Sequence, residues 1–415
     1  MRTTGRRRKF EAALVFLAIM TMLLAMNRHE NRMLFGLSIY GGITIGYLLL
    51  KLLLSSWYRP YRGSGGGTRT YYAVVIPFYN EEPRVLKRCL ESVLRQTLPA
   101  QEIYIIDDGS ADDTCYRLAK DLLREKDNAQ VLRCDVNRNK RNAQSAAFRS
   151  IQVPITITLD SDTVLDENAI EEGLRPFADP AVQAVSGNVR ALNAKTNLLT
   201  RLIDMRYCNA FRYERAAYST LDSVLCSSGV FSLWRTRLIQ NNLQDYLDQK
   251  FFSMPVVAGD DRRLSYYALR EGKSVFQETA GCATVVPDTL GKFFKQQVRW
   301  NKSFFRETIN LLARFPLTKP AWWLALSELC LWLLFGILVL LVFVIKPIVG
   351  GRILGLYYFG YIALMAYVRS VRYMQESFFV YLLSPLYALI HIFLLLPVRI
   401  YSLCTIMDDS WGTRS

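Results

Sequence analysis

Apolar residues crowd the two ends of the chain and come as short, spaced runs in between. Phe10–Met26 is interrupted only by Glu11 and follows Arg2, Arg6, Arg7, Arg8 and Lys9. A run close to the ~20 residues that cross a bilayer, with basic residues before it, predicts a span whose N-terminus is cytoplasmic. Asn27-Arg28-His29-Glu30 follows it, where a signal peptide would carry small residues for cleavage. Met33–Trp57 predicts a second span, with Lys51 snorkelling and Arg59, Arg62 and Arg69 beyond it. Residues 1–62 therefore read as a transmembrane hairpin returning the chain to the cytoplasm, and 63–69 as a flexible Gly/Ser linker.

At the other end, Ala321–Ile345 and Ile353–Val368 predict two more spans, within residues 319–374, separated by Lys346–Arg352. Ser377–Val398 is long enough to cross, but Pro385 and Pro397 fall inside it and Arg399 follows. Arg369 and Arg372 flank it on the cytoplasmic side. Residues 375–415 are thus expected to form a broken re-entrant or interfacial segment that returns the tail Trp411-Gly412-Thr413-Arg414 to the cytoplasmic face.

Between these ends, residues 70–290 alternate two periods. Strand-like runs at 72–76, 102–106, 155–159, 182–185 and 274–276 alternate with helical stretches at 83–96, 112–126, 140–149, 166–177, 196–220 and 260–271. That alternation predicts an α/β domain on a mostly parallel sheet, with function at the carboxyl ends of the strands. Residues 291–318 read as a basic amphipathic helix in the membrane interface, with Phe294, Val298, Phe305, Ile309 and Leu312 on its apolar face. Lys295, Arg299, Lys302 and Arg306 decorate the rest.

Composition sharpens this picture. The chain has 415 residues, 51% hydrophobic, and 51 basic against 36 acidic residues leave a net charge of +15. With apolar ends, that excess fits cytoplasmic flanks of membrane spans better than a nucleic-acid surface. A soluble secreted protein is excluded. His29 and His391 are the two histidines, both in or beside apolar stretches, so histidine catalysis and zinc binding are not expected. The eight cysteines show no C-x-x-C spacing and read as reduced thiols.

Three acidic clusters carry the chemistry. Asp107-Asp108-Gly109-Ser110 follows the apolar Ile103–Ile106, and Asp160-Ser161-Asp162 follows Ile155–Leu159. Gly259-Asp260-Asp261-Arg262 stands at an expected helix start. A lone D-x-D is more often a solvated turn, but three clusters at element ends in one domain suit a hard divalent cation and the phosphates it bridges.

The order of motifs resembles the processive family-2 glycosyltransferases, the group of cellulose, chitin and hyaluronan synthases. Val75–Glu81 is followed by the three clusters and then by Gln296-Gln297-Val298-Arg299-Trp300, a Q-x-x-R-W pentapeptide. Within the group the chain is similar to the class I, streptococcal-type hyaluronan synthases. Ser38-Ile39-Tyr40-Gly41, Asn197–Leu202, Glu214-Arg215-Ala216-Ala217, Arg299–Glu307 and Trp411–Arg414 carry that likeness. Ala283–Gly291 and Leu202–Met205 resemble the rhizobial chitooligosaccharide synthases instead. Two positions depart from both groups: Asn139 stands where the phosphate-contact G-K-R motif has glycine, and Val230 replaces the proline of the acceptor S-G-P motif.

The resemblance implies a GT-A-type domain that transfers a sugar with inversion. It implies Asp261 as general base with Asp260 second, and Asp162 with Asp160 holding Mg²⁺ or Mn²⁺. Tyr79, Asn80, Glu81, Asp107, Asp108, Lys140, Arg141, Gln296, Arg299 and Arg414 would contact UDP. Ser228, Gly229, Arg262 and Trp300 would contact the acceptor, the indole stacking on sugar. Hyaluronan synthesis from UDP-GlcNAc and UDP-glucuronate, in contact with lipid and with the growing polysaccharide, is the leading expectation. It carries no nucleic acid and no obligatory protein partner. The setting is a bacterial-type plasma membrane, multi-pass, with the catalytic domain cytoplasmic. A chitin-type synthase using UDP-GlcNAc alone is the alternative. A membrane-anchored binding protein built on an inactive transferase would lack an acidic cluster or the pentapeptide, and neither is lost.

Overall fold

The computed structural model describes residues 32–62, 70–340, 345 and 352–408. The expected span at Phe10–Met26, the Gly/Ser linker, the Lys346–Arg352 connection up to its last residue, and the Trp411–Arg414 tail lie outside them.

Ten strands follow in chain order: β1 (Tyr72–Phe78), β2 (Glu102–Asp107), β3 (Ala129–Arg133), β4 (Ile155–Leu159), β5 (Val164–Leu165), β6 (Val182–Ala191), β7 (Phe231–Arg235), the small hairpin β8 (Lys250–Phe251) and β9 (Met254–Pro255), and β10 (Lys273–Thr284). All but the hairpin form one sheet in the order β3-β2-β1-β4-β7-β6-β10-β5. Apolar residues of β1 alternate between two cores. Val74, Ile76 and Phe78 pack with Leu86 and Leu90 on one face, while Ala73 and Val75 pack with Ala143 and Phe148 on the other. Each such large side chain contributes about 1.5–3 kcal/mol by leaving water.

The sheet is mixed, with four of its seven pairings parallel and three antiparallel. β1 runs parallel to β2 and β4, but β7 is antiparallel to both β4 and β6. The alternation of periods does not reveal β7, because Phe231-Ser232-Leu233-Trp234-Arg235 is five residues long, with Ser232 buried in its middle. Its reversal has a consequence for the site. The turn entering β7 lies at the same edge as the end of β4, where the Asp160 N–H donates to the Val230 carbonyl at 3.1 Å.

Eight helices matter here: α1 (Arg32–Trp57), α2 (Lys140–Phe148), α3 (Leu198–Cys208), α4 (Asp260–Glu271), α5 (Leu290–Arg314), α6 (Pro320–Leu340), α7 (Arg352–Ser370) and α8 (Ser384–Cys404). Asn197 caps α3 in a reciprocal box with Thr200, and Thr289 caps α5 by accepting from the Lys292 N–H. Beyond its base, the hydroxyl of Tyr58 reaches the Phe276 carbonyl, which fastens the end of α1 to β10.

Among the described residues, α6 and α8 are long and apolar enough to cross a membrane. Ser377–Val398 is broken, as expected, but at Leu383, between a short helix Phe378–Leu382 and α8; beyond that point the two prolines do not interrupt α8. Pro385 sits in the first turn of α8, where its missing N–H is harmless, and Pro397 follows a π-helical stretch at His391–Leu395 that absorbs the missing bond. Both ends of α8 touch the catalytic domain: the Ser384 hydroxyl meets Met205 Sδ, and the Ser402 hydroxyl meets the Val298 carbonyl.

The apolar face expected for α5 is also corrected. Phe294 and Ile309 are exposed, whereas Gln297, Asn301, Lys302, Ser303, Arg306 and Glu307 are buried beside Phe293 and Phe305. A polar face can be buried there because the chain beyond α8 supplies carbonyl acceptors. Lys302 Nζ donates to the Asp408 carbonyl at 2.7 Å, and Arg306 Nε to the Ile406 carbonyl at 3.0 Å.

Two substitutions test these packing arguments. Lys51 of α1 ion-pairs with Glu328 of α6 at 2.5 Å, with Tyr47 donating to the same oxygen. Lys51→Met strips Glu328 of its cation, and the thermal midpoint in detergent should fall by about 3–5 °C. Adding Glu328→Gln should recover most of the loss; a double variant no better than the single would show that the pair does not hold α1 to α6. The second concerns Asn139, which precedes α2 at φ 84 and ψ 158, a region glycine occupies freely and other residues do not. Its side chain accepts from the Asn142 N–H at 3.2 Å, a cap worth only a few tenths of a kcal/mol over glycine. Asn139→Gly should therefore stabilise by about 1 kcal/mol, read as a raised thermal midpoint. An unchanged or lowered midpoint would contradict the strain.

Candidate active site

The turns at the carboxyl ends of β1, β2 and β4 meet the start of α4 and the turn before β7. At the first of them the Asn80 N–H donates to the Ser110 hydroxyl and its side-chain oxygen accepts from Ala111, both at 2.9 Å. Asn80 adopts the left-handed conformation this clamp requires, which asparagine tolerates. A cavity of ≈200 Å³ opens beside it, lined by Asn80, Glu81, Ser110, Ala111, Asp112 and Cys115. Half-buried Tyr79 precedes it in the chain, and Glu81 crosses to the third turn by accepting from the Ser161 hydroxyl at 2.7 Å.

The two aspartates after β2 do different work. Asp107 is fully buried; it accepts from the Ser110 N–H and faces Arg133 Nε at 3.2 Å, so it shapes the turn rather than presenting an oxygen to a ligand. Asp108 accepts from the Arg138 N–H at 3.1 Å and so ties the β2 turn to the loop that leads into α2. Burial raises its carboxyl, with those loop N–H groups opposing part of the effect.

That loop delivers Lys140 to the centre of the site. Its ammonium stands 2.6 Å from Asp160 Oδ1 and 3.2 Å from Asp260 Oδ2, bridging the β4 turn to α4. Burial pulls the lysine down, but the carboxylates of Asp160 and Asp260 outweigh it and hold it charged. Asp260 and Asp261 are neighbours with opposed environments. Burial would raise Asp260, yet Lys140 and Arg141 overcome it and keep this carboxyl below its usual range. Asp261 is raised, first by burial and then by the charge of Asp260. Its Oδ2 accepts from the Gly229 N–H at 3.1 Å and lies 3.6 Å from Cys226 Sγ, while Oδ1 accepts from the Arg262 N–H at 2.8 Å. The Cys226 thiol is itself pushed up to about 11 by burial and by Asp261, so it stays protonated.

One glycine is required here. Gly259 stands at φ 94, and a Cβ there would come within 2.1 Å of Ser303 Oγ on α5. A Cβ on Gly229 would make only ordinary contact with Lys140 Nζ and Asp261 Oδ2, at 3.4 and 3.5 Å. Ser228, next to it, is buried and accepts from the Val230 N–H and the Ser232 hydroxyl.

Other expected residues lie around this centre or outside it. Arg141 is turned inward: it donates to the Tyr246 carbonyl at 2.7 Å and stacks on that ring at 4.6 Å, so it supports Asp260 electrostatically and offers no contact to a ligand in the cleft. The side-chain preference for an aromatic face and a carbonyl over water decides this. On α5, Gln296 is half-buried, Arg299 exposed and Trp300 half-buried with Arg206 5.6 Å over its ring. Arg262 stacks on Phe304 at 5.4 Å. Arg414 is outside the described residues.

Among the described residues, no three Asp, Glu, His or Cys side chains converge into a metal cage. Asp160 and Asp162 still fit Mg²⁺ or Mn²⁺, hard ions that take one or two carboxylates and complete their shell with substrate phosphates and water. Asp160 is partly exposed, and Asp162 is oriented by the Thr284 hydroxyl at 2.9 Å. Thr284 went unrecognised in the sequence because nothing marks the last residue of β10 as a neighbour of residue 162. Ser110 and Ser161 lay within the acidic clusters but carried no role there; their hydroxyls turn out to lock the turns together.

Residues 73–242 match the model of glycosyl transferase family 2. Hyaluronan synthases of Streptococcus pyogenes serotypes M3 and M6 are 41% identical, over 97% and 98% of this chain and 96% and 98% of theirs. An N-acetylglucosaminyltransferase of Rhizobium sp. strain N33 is 33% identical over 82% of this chain and 76% of its own length. A mannosyltransferase of Pyrobaculum calidifontis, solved with GDP-mannose and Mn²⁺, shares the fold with a TM-score of 0.60 at 15% identity, covering 94% of this chain and 99% of its own. The acidic turns, the Asp260–Asp261 pair and near-full-length identity agree: the chain is a glycosyltransferase and belongs to the hyaluronan synthase family.

Proposed function

We propose that the protein is a membrane-embedded, processive, inverting hyaluronan synthase, joining UDP-GlcNAc and UDP-glucuronate in alternation and passing the product across the membrane. The identity of the polymer follows the streptococcal relatives, which are similar over nearly their whole length. One observation carries the catalytic reading: two adjacent carboxyls in opposed environments, Asp260 held charged by Lys140 and Asp261 raised by burial. Pairs driven apart in this way divide roles, and a carboxyl raised above its usual range is the better proton acceptor of the two.

In this reading Asp261 takes the proton of the acceptor hydroxyl as the hydroxyl attacks the anomeric carbon and UDP leaves. Asp260 holds Lys140 in place and raises its neighbour. Tyr79, Asn80, Glu81 and Asp108 border the nucleoside side, and Gln296 and Arg299 approach the diphosphate from α5. Ser228, Gly229, Arg262 and Trp300 hold the acceptor. Asp160 and Asp162 would hold Mg²⁺ or Mn²⁺, as supported by the Mn²⁺ solved with the mannosyltransferase of the same fold, and that ion supplies positive charge against the leaving diphosphate. The apolar α6 and α8 support a multi-pass protein of the plasma membrane. The basic flanks support a cytoplasmic catalytic domain, and the contacts at both ends of α8 support an interfacial placement that keeps the tail near the nucleotide.

Purified protein given each UDP-sugar singly and together should make polymer only with both, and hyaluronidase should degrade it. Abundant chitinase-sensitive polymer from UDP-GlcNAc alone would move the assignment to the chitin-type reading, which the rhizobial relative keeps open. Base and metal ligand separate by substitution. Asp261→Asn should lower kcat by at least about 10³-fold with UDP affinity kept, whereas Asp162→Asn should weaken metal-dependent UDP binding as well. The acid limb of kcat should lie above the ordinary carboxylate range, since Asp261 must be deprotonated to act. Asp260→Asn should move that limb to lower pH, because the Asp260 charge raises Asp261. Substantial turnover by Asp261→Asn, or a limb that Asp260→Asn leaves in place, would remove Asp261 from the role.

A further inference from the structure

The first turn of α4 carries a charge that the cleft does not use. Arg263, two residues after Asp261, is buried between two carboxylates from other parts of the chain. Its Nη2 lies 2.6 Å from Asp245 Oδ2 and its Nη1 3.5 Å from Glu307 Oε2 on α5, while Nε donates to the Tyr267 hydroxyl at 2.9 Å. That hydroxyl donates in turn to Asp245. Glu307 is buried as well, and its other oxygen accepts from Gln249 Nε2. Gln249 stands at the neck of the β8–β9 hairpin, where its carbonyl accepts from the Val256 N–H at 2.9 Å.

These partners come from three stretches of chain and meet at the joint between α4 and α5. Ser303, one turn before Glu307, is the residue that closes against Gly259 at the start of α4. Trp300, Ser303 and Glu307 are spaced i, i+3 and i+7, so they share one face of α5. Helix α5 therefore meets the start of α4 at two points one turn apart, and the motif tryptophan follows one turn beyond. On α4, Asp261 and Arg263 share the first turn, so a hold on the arginine is a hold on the backbone of the aspartate. A planar guanidinium between two carboxylates tolerates little change of direction. Against well-packed apolar side chains, a buried pair adds little stability; what it can add is a single register.

We propose that Arg263 and Glu307 are positioning residues for the transfer: their ion pair, backed by Asp245 and Gln249, sets the spacing between Asp261 on α4 and Trp300 on α5. The inference rests on the base and acceptor roles given to those two residues above, and deepens them. With the pair intact, the acceptor hydroxyl stays in line with the anomeric carbon and keeps water from it. With the pair loosened, the acceptor sits off line and water takes its place. The water oxygen then bonds to the anomeric carbon, its proton passes to Asp261, the bond to the diphosphate oxygen breaks, and free sugar leaves with UDP.

The test counts UDP released against sugar incorporated, for the full-length protein in nanodiscs supplied with UDP-GlcNAc and UDP-glucuronate. Glu307→Ala should lower kcat for polymer by about 10²-fold, the effect of a misplacement near ~1 Å. Donor KM and UDP affinity should stay near the wild-type values, and UDP released per sugar incorporated should rise several-fold. Glu307→Gln, whose amide oxygen can still accept a hydrogen bond, should recover most of the coupling. Arg263→Lys keeps the charge but cannot fork between two carboxylates, and should fall between. A joint that serves folding alone would lower activity and UDP affinity together and leave the ratio where it was; that result overturns the proposal. So does wild-type coupling in Glu307→Ala, or a Glu307→Gln variant no better than the alanine. Asp261→Asn reads the base role separately. An inactive Asp261→Asn beside a fully coupled Glu307→Ala sinks the positioning pair alone, whereas turnover by Asp261→Asn removes the base reading itself.

Discussion

The site depends on one ammonium. Lys140 stands between Asp160 at the end of β4 and Asp260 at the start of α4, and it keeps the two carboxylates from repelling one another. In a low-dielectric cleft that repulsion would be severe, and the bridge turns it into a fixed geometry. Its reach is set by the loop before α2, which Asp108 ties to the β2 turn. Three turns from distant parts of the chain are thereby held in register around one cation. Asp261 is left out of the bridge and is raised because its neighbour is held charged.

The reversed strand β7 completes the arrangement. An all-parallel sheet would send the Ser228–Val230 turn to the opposite edge, away from the acidic turns. Running antiparallel, β7 enters at that edge, and the Gly229 N–H reaches Asp261. Helix α5 closes the other side so tightly that Gly259 has no room for a side chain beside Ser303. The same helix carries Gln296, Arg299 and Trp300 and packs against the apolar helices α6 and α8.

Toward the membrane, packing follows polar satisfaction as much as apolar burial. The buried face of α5 includes Lys302 and Arg306 because Ile406 and Asp408 offer carbonyls to them. Arg206 and Arg399 instead rest on indole faces, those of Trp300 and Trp332.

Much of this was legible in the order of residues. Short β-branched runs ending in Asp107-Asp108, Asp160-Ser161-Asp162 and Gly259-Asp260-Asp261 marked strand ends and a helix start, and α4 begins and ends where its pattern predicts. Near neighbours in the chain decide those features: strand period, capping and turn chemistry. What lay beyond reach depends on pairings across long separations. The direction of β7, the inward turn of Arg141 onto Tyr246, the hydroxyl of Thr284 on Asp162 and the polar buried face of α5 each need a partner from elsewhere. Prolines that look disruptive in α8 are accommodated by a first turn and a π-helical stretch, which a local pattern does not announce. Sequence determined which groups could do the chemistry, because residue type and local period are encoded locally. Tertiary structure decided which of them share a dielectric and a charge neighbour, because burial and Coulomb interaction depend on distance in space and not along the chain.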